Sequence, residues 1–77
     1  MNKQRRNALS AIEGKIDELV QELYDIKDEE QDAFDNLPEG LQMSERGDQM
    51  QENIDSLDNI IADLETVADD LDDVINA

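Results

Sequence analysis

A regular spacing of apolar residues, repeated in both halves of the chain, constrains the fold more than any other feature. Across residues 9–37, apolar side chains recur at alternating steps of three and four, interrupted only by Glu30. Across residues 43–75 the same steps continue, with Gly47 as the one poor core residue. Such spacing, sustained over several heptads, is typical of helices that pack with coiled-coil geometry. We therefore expect an all-α protein of the coiled-coil type.

A single proline divides the two periodic segments. Pro38 disfavours helical backbone at the preceding residue, and Gly40 can adopt a positive φ, so we expect the first helix to end just before them. Ser44 is a suitable N-cap for the second helix, because its hydroxyl can accept from a free first-turn amide. Two helices of similar length on a short connection predict one antiparallel helical hairpin. The expected elements of this single domain, residues 1–77, are helix one at about 3–36, a turn at 37–43 and helix two at about 45–75.

Antiparallel pairing agrees with the charges at the chain ends. It brings the basic residues Lys3, Arg5 and Arg6 beside the acidic cluster at residues 69–73. Exposed ion pairs contribute only about 0–1 kcal/mol each, so we expect them to favour this orientation more than to stabilise it.

The second helix carries more apolar surface than a two-helix contact can cover. Ile60, Val67 and Val74 form a third apolar column beside the two columns that face helix one. A wider apolar face suits a four-helix bundle, and small chains without disulfides or metals usually need oligomerisation. We therefore expect a homodimer of hairpins; a monomer whose apolar stripe awaits another partner is the alternative. The residues predicted to mediate self-association are Ile54, Leu57, Ile60, Ile61, Leu64, Val67, Leu71 and Val74.

Composition excludes several classes of function. The chain has 22 acidic residues against 6 Lys and Arg, a formal charge of −16, and neither Cys nor His. Disulfides, thiolate chemistry, Cys-ligated metals and histidine acid–base catalysis are therefore excluded. Strong negative charge opposes direct binding to nucleic acid or to an anionic membrane. With no signal-peptide pattern and no apolar run of membrane-spanning length, we expect a soluble cytoplasmic protein that uses no cofactor.

Two acidic clusters invite comparison with metal-dependent enzymes. The segment 69–73 has a DDxxD pattern, which on a helix can bind Mg²⁺ and a diphosphate. The residues Asp28, Glu29, Glu30 and Asp32 resemble the helical carboxylate pairs of small all-α nucleotide pyrophosphohydrolases. A chain this short cannot enclose a substrate cavity, however, so we interpret both clusters as solvated helix surface, with Glu30 as a polar residue that sets the register of the core. We expect no enzymatic activity and no metal site.

The second helix also presents an unusual density of carboxylates. Residues 47–77 contain ten acidic residues and no Lys or Arg, although like charges four residues apart destabilise a helix. A solubilising surface and a binding surface for a basic protein are both compatible with this pattern. The residues predicted to contact such a partner are Asp55, Asp58, Asp63, Glu65, Asp69, Asp70, Asp72 and Asp73. In the same helix, Gly47 indicates either close backbone approach to helix one, fraying of the helix N-terminus, or a contact point for a partner.

Residues 28–47, with an Asn-Leu-Pro turn and a Ser-Glu-Arg-Gly segment before acidic Ile/Leu heptads, resemble uncharacterised small proteins encoded by phages and prophages. The resemblance implies a phage or mobile-element context, and with it the cytoplasm of a bacterial host cell. In that context small acidic proteins often mimic nucleic acid and block restriction, CRISPR or repair enzymes. The first hypothesis is therefore a non-enzymatic acidic protein that occupies the nucleic-acid-binding surface of a basic host protein. The second is a structural or assembly module that acts only by self-association or helix packing.

Overall fold

The computed structural model describes all residues from Met1 to Ala77, and it is all-helical. Two long helices, α1 (Lys3–Asp35) and α3 (Glu45–Ile75), flank a single helical turn, α2 (Glu39–Gln42). The long helices pack against each other in antiparallel orientation, giving a rod of 59 × 15 × 12 Å. No helix combines the length and apolar character needed to cross a membrane. The helical hairpin expected from the spacing of apolar residues is therefore present.

The helix ends differ in detail from expectation. Asn2 caps α1, its side-chain oxygen accepting from the Arg5 amide at 2.9 Å. Ser44 occupies the N-cap position of α3, but its hydroxyl donates to the Leu41 carbonyl and accepts nothing from the first turn. Gly40 lies inside α2, and no glycine has a positive φ. The chain reverses by ending one helix, making a single helical turn and starting another, so a left-handed residue is not needed.

The connection between the long helices depends on hydrogen bonds from the Gln42 side chain and on the absence of a side chain at Gly47. The Gln42 amide donates to the carbonyls of Phe34 at 3.1 Å and Leu37 at 3.2 Å, one at the end of α1 and one just beyond it. The Phe34 carbonyl also accepts from the Leu37 amide at 3.1 Å. Gly47 is buried, and a Cβ atom on it would lie 2.1 Å from the Gln42 carbonyl oxygen. The close approach indicated by Gly47 therefore exists, but its neighbour is the connecting turn and not α1. This contact fixes the angle at which α3 leaves the turn.

The seam between α1 and α3 uses the expected columns of α3 only. Ile54, Ile61 and Ala68 are buried there, and the leucines between them are half-buried. On α1, the seam contains the expected column that begins at Leu9, but its second column is the one that includes Val20, the only buried residue of that helix. The column Ile12, Leu19 and Ile26, which the sequence placed in the core, is about half exposed.

The rotation of α1 has a physical reason. The column that enters the seam also includes Lys27, whose ammonium group reaches Asp58 of α3 at 2.5 Å. Beside that column, Tyr24 reaches Glu65 of α3. If the column containing Leu19 faced α3 instead, Lys27 and Tyr24 would be turned away from their partners on α3. The polar contacts and the apolar seam together select the observed rotation.

Candidate functional site

The hairpin has two long sides that differ in chemistry. Successive helical residues are about 100° apart, so Tyr24 and Leu19 lie about 70° to either side of the centre of the seam on α1. On α3, Glu65 and Ile60 likewise lie about 70° to either side of the centre of the seam. Because Tyr24 and Glu65 hydrogen-bond to each other at 2.9 Å, their two columns share one side of the hairpin. The columns of Leu19 and Ile60 must then share the opposite side.

The first side is polar and joins the two helices. The Tyr24 hydroxyl donates to Glu65, and this bond to a carboxylate raises the pKa of Tyr24 above its usual value. Lys27 forms the only ion pair between side chains, with Asp58, which raises the pKa of Lys27, and its ammonium lies 5.7 Å from the centre of the Tyr24 ring. An open groove of about 330 Å³ on this side is lined by Asp17, Val20, Gln21, Tyr24 and Glu65. A tyrosine with a raised pKa remains protonated at neutral pH and is a poor nucleophile there.

Glu13 is the least favourably placed acid on the polar side. It lies half-buried at the seam, and its Oε2 atom is buried without a hydrogen-bond partner. Desolvation raises the pKa of Glu13, and the neighbouring carboxylates of Asp72 and Asp17 raise it further. The protonated acid is therefore the form that suits this site, because it can share a hydrogen bond with Asp72.

Stability should consequently increase on mild acidification. A carboxyl whose pKa is raised in the folded state binds its proton more readily folded than unfolded, so lowering the pH from 7 towards about 4.5 favours folding. We expect Glu13→Gln to raise the melting temperature at pH 7 and to flatten its rise towards pH 4.5. Thermal melts followed by circular dichroism test this, with the exposed Glu18→Gln as control. A wild-type melting temperature that falls between pH 7 and pH 5 would contradict it.

The structure divides the eight acids predicted to bind a partner into two groups. All eight are exposed, but Asp58, Glu65 and Asp72 lie on the polar side, where they contact Lys27, Tyr24 and Glu13 of α1. The other five form no ion pair. Asp55, Asp63, Asp70 and Asp73 lie on the side of α3 away from α1, whereas Asp69 lies close enough to Glu13 to raise the pKa of that carboxyl. The array that points entirely outward is thus smaller than the set predicted from the sequence.

The basic residues near the N-terminus form no ion pair with the aspartates of residues 69–73. Arg6 instead donates to the main-chain oxygen of Ala77 at 2.9 Å, so the two ends of the hairpin meet as expected, but through a different acceptor.

The two acidic clusters compared with metal enzymes remain dispersed: no three acidic side chains come together in a geometry that could hold a metal ion. Glu30 lies half-buried in the seam, as its place in the periodic pattern suggested.

The second side of the hairpin is an apolar face. Its two columns, spaced seven residues apart, are 45–53% exposed; the residues of this apolar face are Ile12, Leu19, Ile26, Ile60, Val67 and Val74. Because Lys27 meets Asp58 and the helices are antiparallel, Ile26 lies level with Ile60. The other two pairs follow at intervals of about 10 Å along the rod.

The residues predicted to mediate self-association are likewise divided between two locations. Five line the seam within one chain, where Ile54 and Ile61 are 3% and 2% exposed; the other three of this group are Leu57, Leu64 and Leu71. Only Ile60, Val67 and Val74 reach the surface. The spacing did not identify the corresponding exposed residues of α1, because Ile12, Leu19 and Ile26 continue the regular pattern that predicted a core.

The chain was compared with protein-family models, with curated protein sequences and with solved structures, and no match was found in any of the three comparisons.

Proposed function

We propose that this protein is an assembly module that dimerises through its apolar face to form a four-helix bundle. The observation that carries the proposal is the placement of both unpaired apolar columns on one side of the hairpin. Single exposed apolar residues are ordinary, but a continuous apolar row along a monomer is typical of an interaction site. The contact between α1 and α3 does not cover this row, because the row lies outside the seam, on the side of the hairpin opposite Tyr24 and Glu65.

The size of the apolar face is appropriate for such an association. Burying one Ile, Leu or Val side chain completely contributes about 1.5–3 kcal/mol, so burying the exposed half of twelve such side chains contributes roughly 9–18 kcal/mol. Association costs about 4–15 kcal/mol in lost freedom of motion. The second copy also fits chemically, because an identical face brings no charged side chain from either apolar column into the new core.

Replacing the three apolar-face residues of α3 tests this function. We expect the variant Ile60→Gln, Val67→Gln, Val74→Gln to keep its helicity and to sediment as a monomer at concentrations where the wild-type protein is a dimer. A matched control replaces three exposed residues elsewhere on α3, Asn59, Ala62 and Thr66, with Gln. Equal molecular masses for the wild-type protein and the apolar-face variant would refute assembly through this face.

A second candidate function follows from the four acids that point away from α1, which are Asp55, Asp63, Asp70 and Asp73. In this proposal the bundle is a non-enzymatic acidic scaffold whose outward carboxylates occupy the nucleic-acid-binding surface of a basic host protein, in a phage context. Its support is that these acids, unlike Asp58, have no cationic partner within the chain. A fixed negative surface attracts proteins whose own sites are built for phosphates.

Charge reversal separates the two functions. If the acidic scaffold is correct, Asp55→Lys, Asp63→Lys, Asp70→Lys should abolish competition with DNA for a basic DNA-binding host protein while dimerisation persists. If the protein competes equally well after this change, the carboxylates only solubilise the bundle. Circular dichroism of the same variant shows whether its helices remain intact.

A further inference from the structure

The distribution of charge along the rod points to a specific orientation of the second copy. Leu19 and Val67 mark the middle of the apolar face. The half of the hairpin that contains the chain ends, residues 1–20 and 66–77, has four basic and seven acidic residues, a net charge of −3. The half that contains the turn, residues 21–65, has two basic and fifteen acidic residues, a net charge of −13.

Two arrangements can bury the apolar face against an identical one. If the turns lie at the same end, the halves of charge −13 lie side by side and repel each other, most strongly at low ionic strength. If the turns lie at opposite ends, each half of charge −13 lies beside a half of charge −3. The product of neighbouring charges is then 39 at each end instead of 169 at one end and 9 at the other. The second arrangement reduces the repulsion substantially.

The apolar face accommodates the same arrangement. Its three levels are evenly spaced, so a two-fold axis through the level of Leu19 and Val67 superposes one end of the row on the other. The level of Ile12 and Val74 then meets the level of Ile26 and Ile60 of the second copy. All six positions are Ile, Leu or Val, so no polar side chain of the apolar face becomes buried in this register.

We propose that two hairpins associate through the apolar face with their turns at opposite ends of the bundle. This inference rests on the proposed assembly function and adds the orientation of the partner. The ligand of the apolar face is thus a second copy of this chain, and the turn of each copy lies beside the chain ends of the other.

Pulsed electron spin resonance on singly labelled protein tests the orientation. The chain has no cysteine, and a Cβ atom on Gly40 would contact nothing within 4 Å, so Gly40→Cys provides a unique site for a nitroxide label at the turn. With turns at opposite ends, we expect the two labels of a dimer to be about 50–60 Å apart, from the helical rise of 1.5 Å per residue. With turns at the same end, the separation would be about 20 Å, the width of a four-helix bundle.

A label at the middle of the rod provides the control. Glu18→Cys lies on the outer surface of α1 near the level of Leu19 and should show dipolar coupling in either arrangement. With turns at opposite ends the two α1 helices lie over each other, so the labels are about 10–20 Å apart; with turns at the same end these helices are diagonally opposite, and the distance is about 20–30 Å. About 20 Å at Gly40→Cys together with about 20–30 Å at Glu18→Cys would overturn the orientation while leaving the dimer intact. Absence of dipolar coupling at Glu18→Cys would show that no dimer forms, and the proposed function would fail together with the orientation.

Discussion

Gly47→Ala should destabilise the hairpin by about 3 kcal/mol, near the upper end of the usual cost of overpacking. The added Cβ would lie 2.1 Å from the carbonyl oxygen of Gln42 and 2.7 Å from that of Leu41. These are main-chain atoms, so they cannot move away as the end of a flexible side chain can. Relief requires α3 to separate from the turn, which breaks the contacts that fix its exit angle. Against a total stability of roughly 4–12 kcal/mol for a chain of this length, the loss is large.

Gly14 provides the matched control. It lies in the exposed part of α1, and a Cβ there would contact nothing within 4 Å. Gly14→Ala should therefore stabilise the protein by about 0.5–1 kcal/mol, because alanine restricts the unfolded chain and favours the helix. Urea unfolding followed by circular dichroism measures both changes. If Gly47→Ala were as stable as Gly14→Ala, the close packing of α3 on the turn would be wrong.

Ile61→Asp should abolish the folded hairpin, whereas Ile60→Asp should abolish only the dimer. Ile61 is 2% exposed in the seam, so the variant loses apolar burial and places a carboxylate between the helices, at a cost of about 4–5 kcal/mol or more. Ile60 is 46% exposed on the apolar face, so aspartate there costs the single hairpin about 1–1.5 kcal/mol in lost burial and a few tenths more in helix propensity, which is far less than at Ile61. In the dimer, however, the same carboxylate would be desolvated against an apolar surface.

The comparison is informative because the two substitutions have the same chemistry at adjacent positions. Far-UV circular dichroism should show a largely unfolded chain for Ile61→Asp and a helical one for Ile60→Asp. Sedimentation velocity should show Ile60→Asp as a monomer. Equal loss of helicity in both variants would mean that the apolar face contributes to the fold of one chain, and a dimeric Ile60→Asp would exclude this face as the interface.

The spacing of apolar residues was sufficient to predict an all-helical protein with two long helices. It was not sufficient to predict which columns of α1 face α3. Ile12, Leu19 and Ile26 complete a regular apolar stripe, and from spacing alone they are better core residues than Glu13 and Lys27. The structure nevertheless places the column of Glu13 and Lys27 in the seam, because Lys27 and Tyr24 find partners on α3 only in that rotation.

The candidate site depends on the same rotation. The apolar column of Ile60, Val67 and Val74 was recognisable in the sequence as surface that one hairpin cannot cover. Its counterpart on α1 was not, since the two columns share a side only after α1 turns. The hydrogen bonds that the neutral Gln42 amide donates at the end of α1 and the close contact of Gly47 with the turn also depend on packing that periodicity does not specify. In both cases the group contacted is a main-chain carbonyl.

We expect a second copy of this chain to cover the apolar face. Sedimentation equilibrium of the wild-type protein, from about 1 to several hundred micromolar and at low and high NaCl, tests it most directly. Each copy has a net charge of −16, so screening by salt should strengthen association. We expect a monomer–dimer equilibrium that shifts towards 17.4 kDa, twice the 8.7 kDa chain mass, as concentration and salt increase. A protein that remains at 8.7 kDa at several hundred micromolar in high salt would contradict the account.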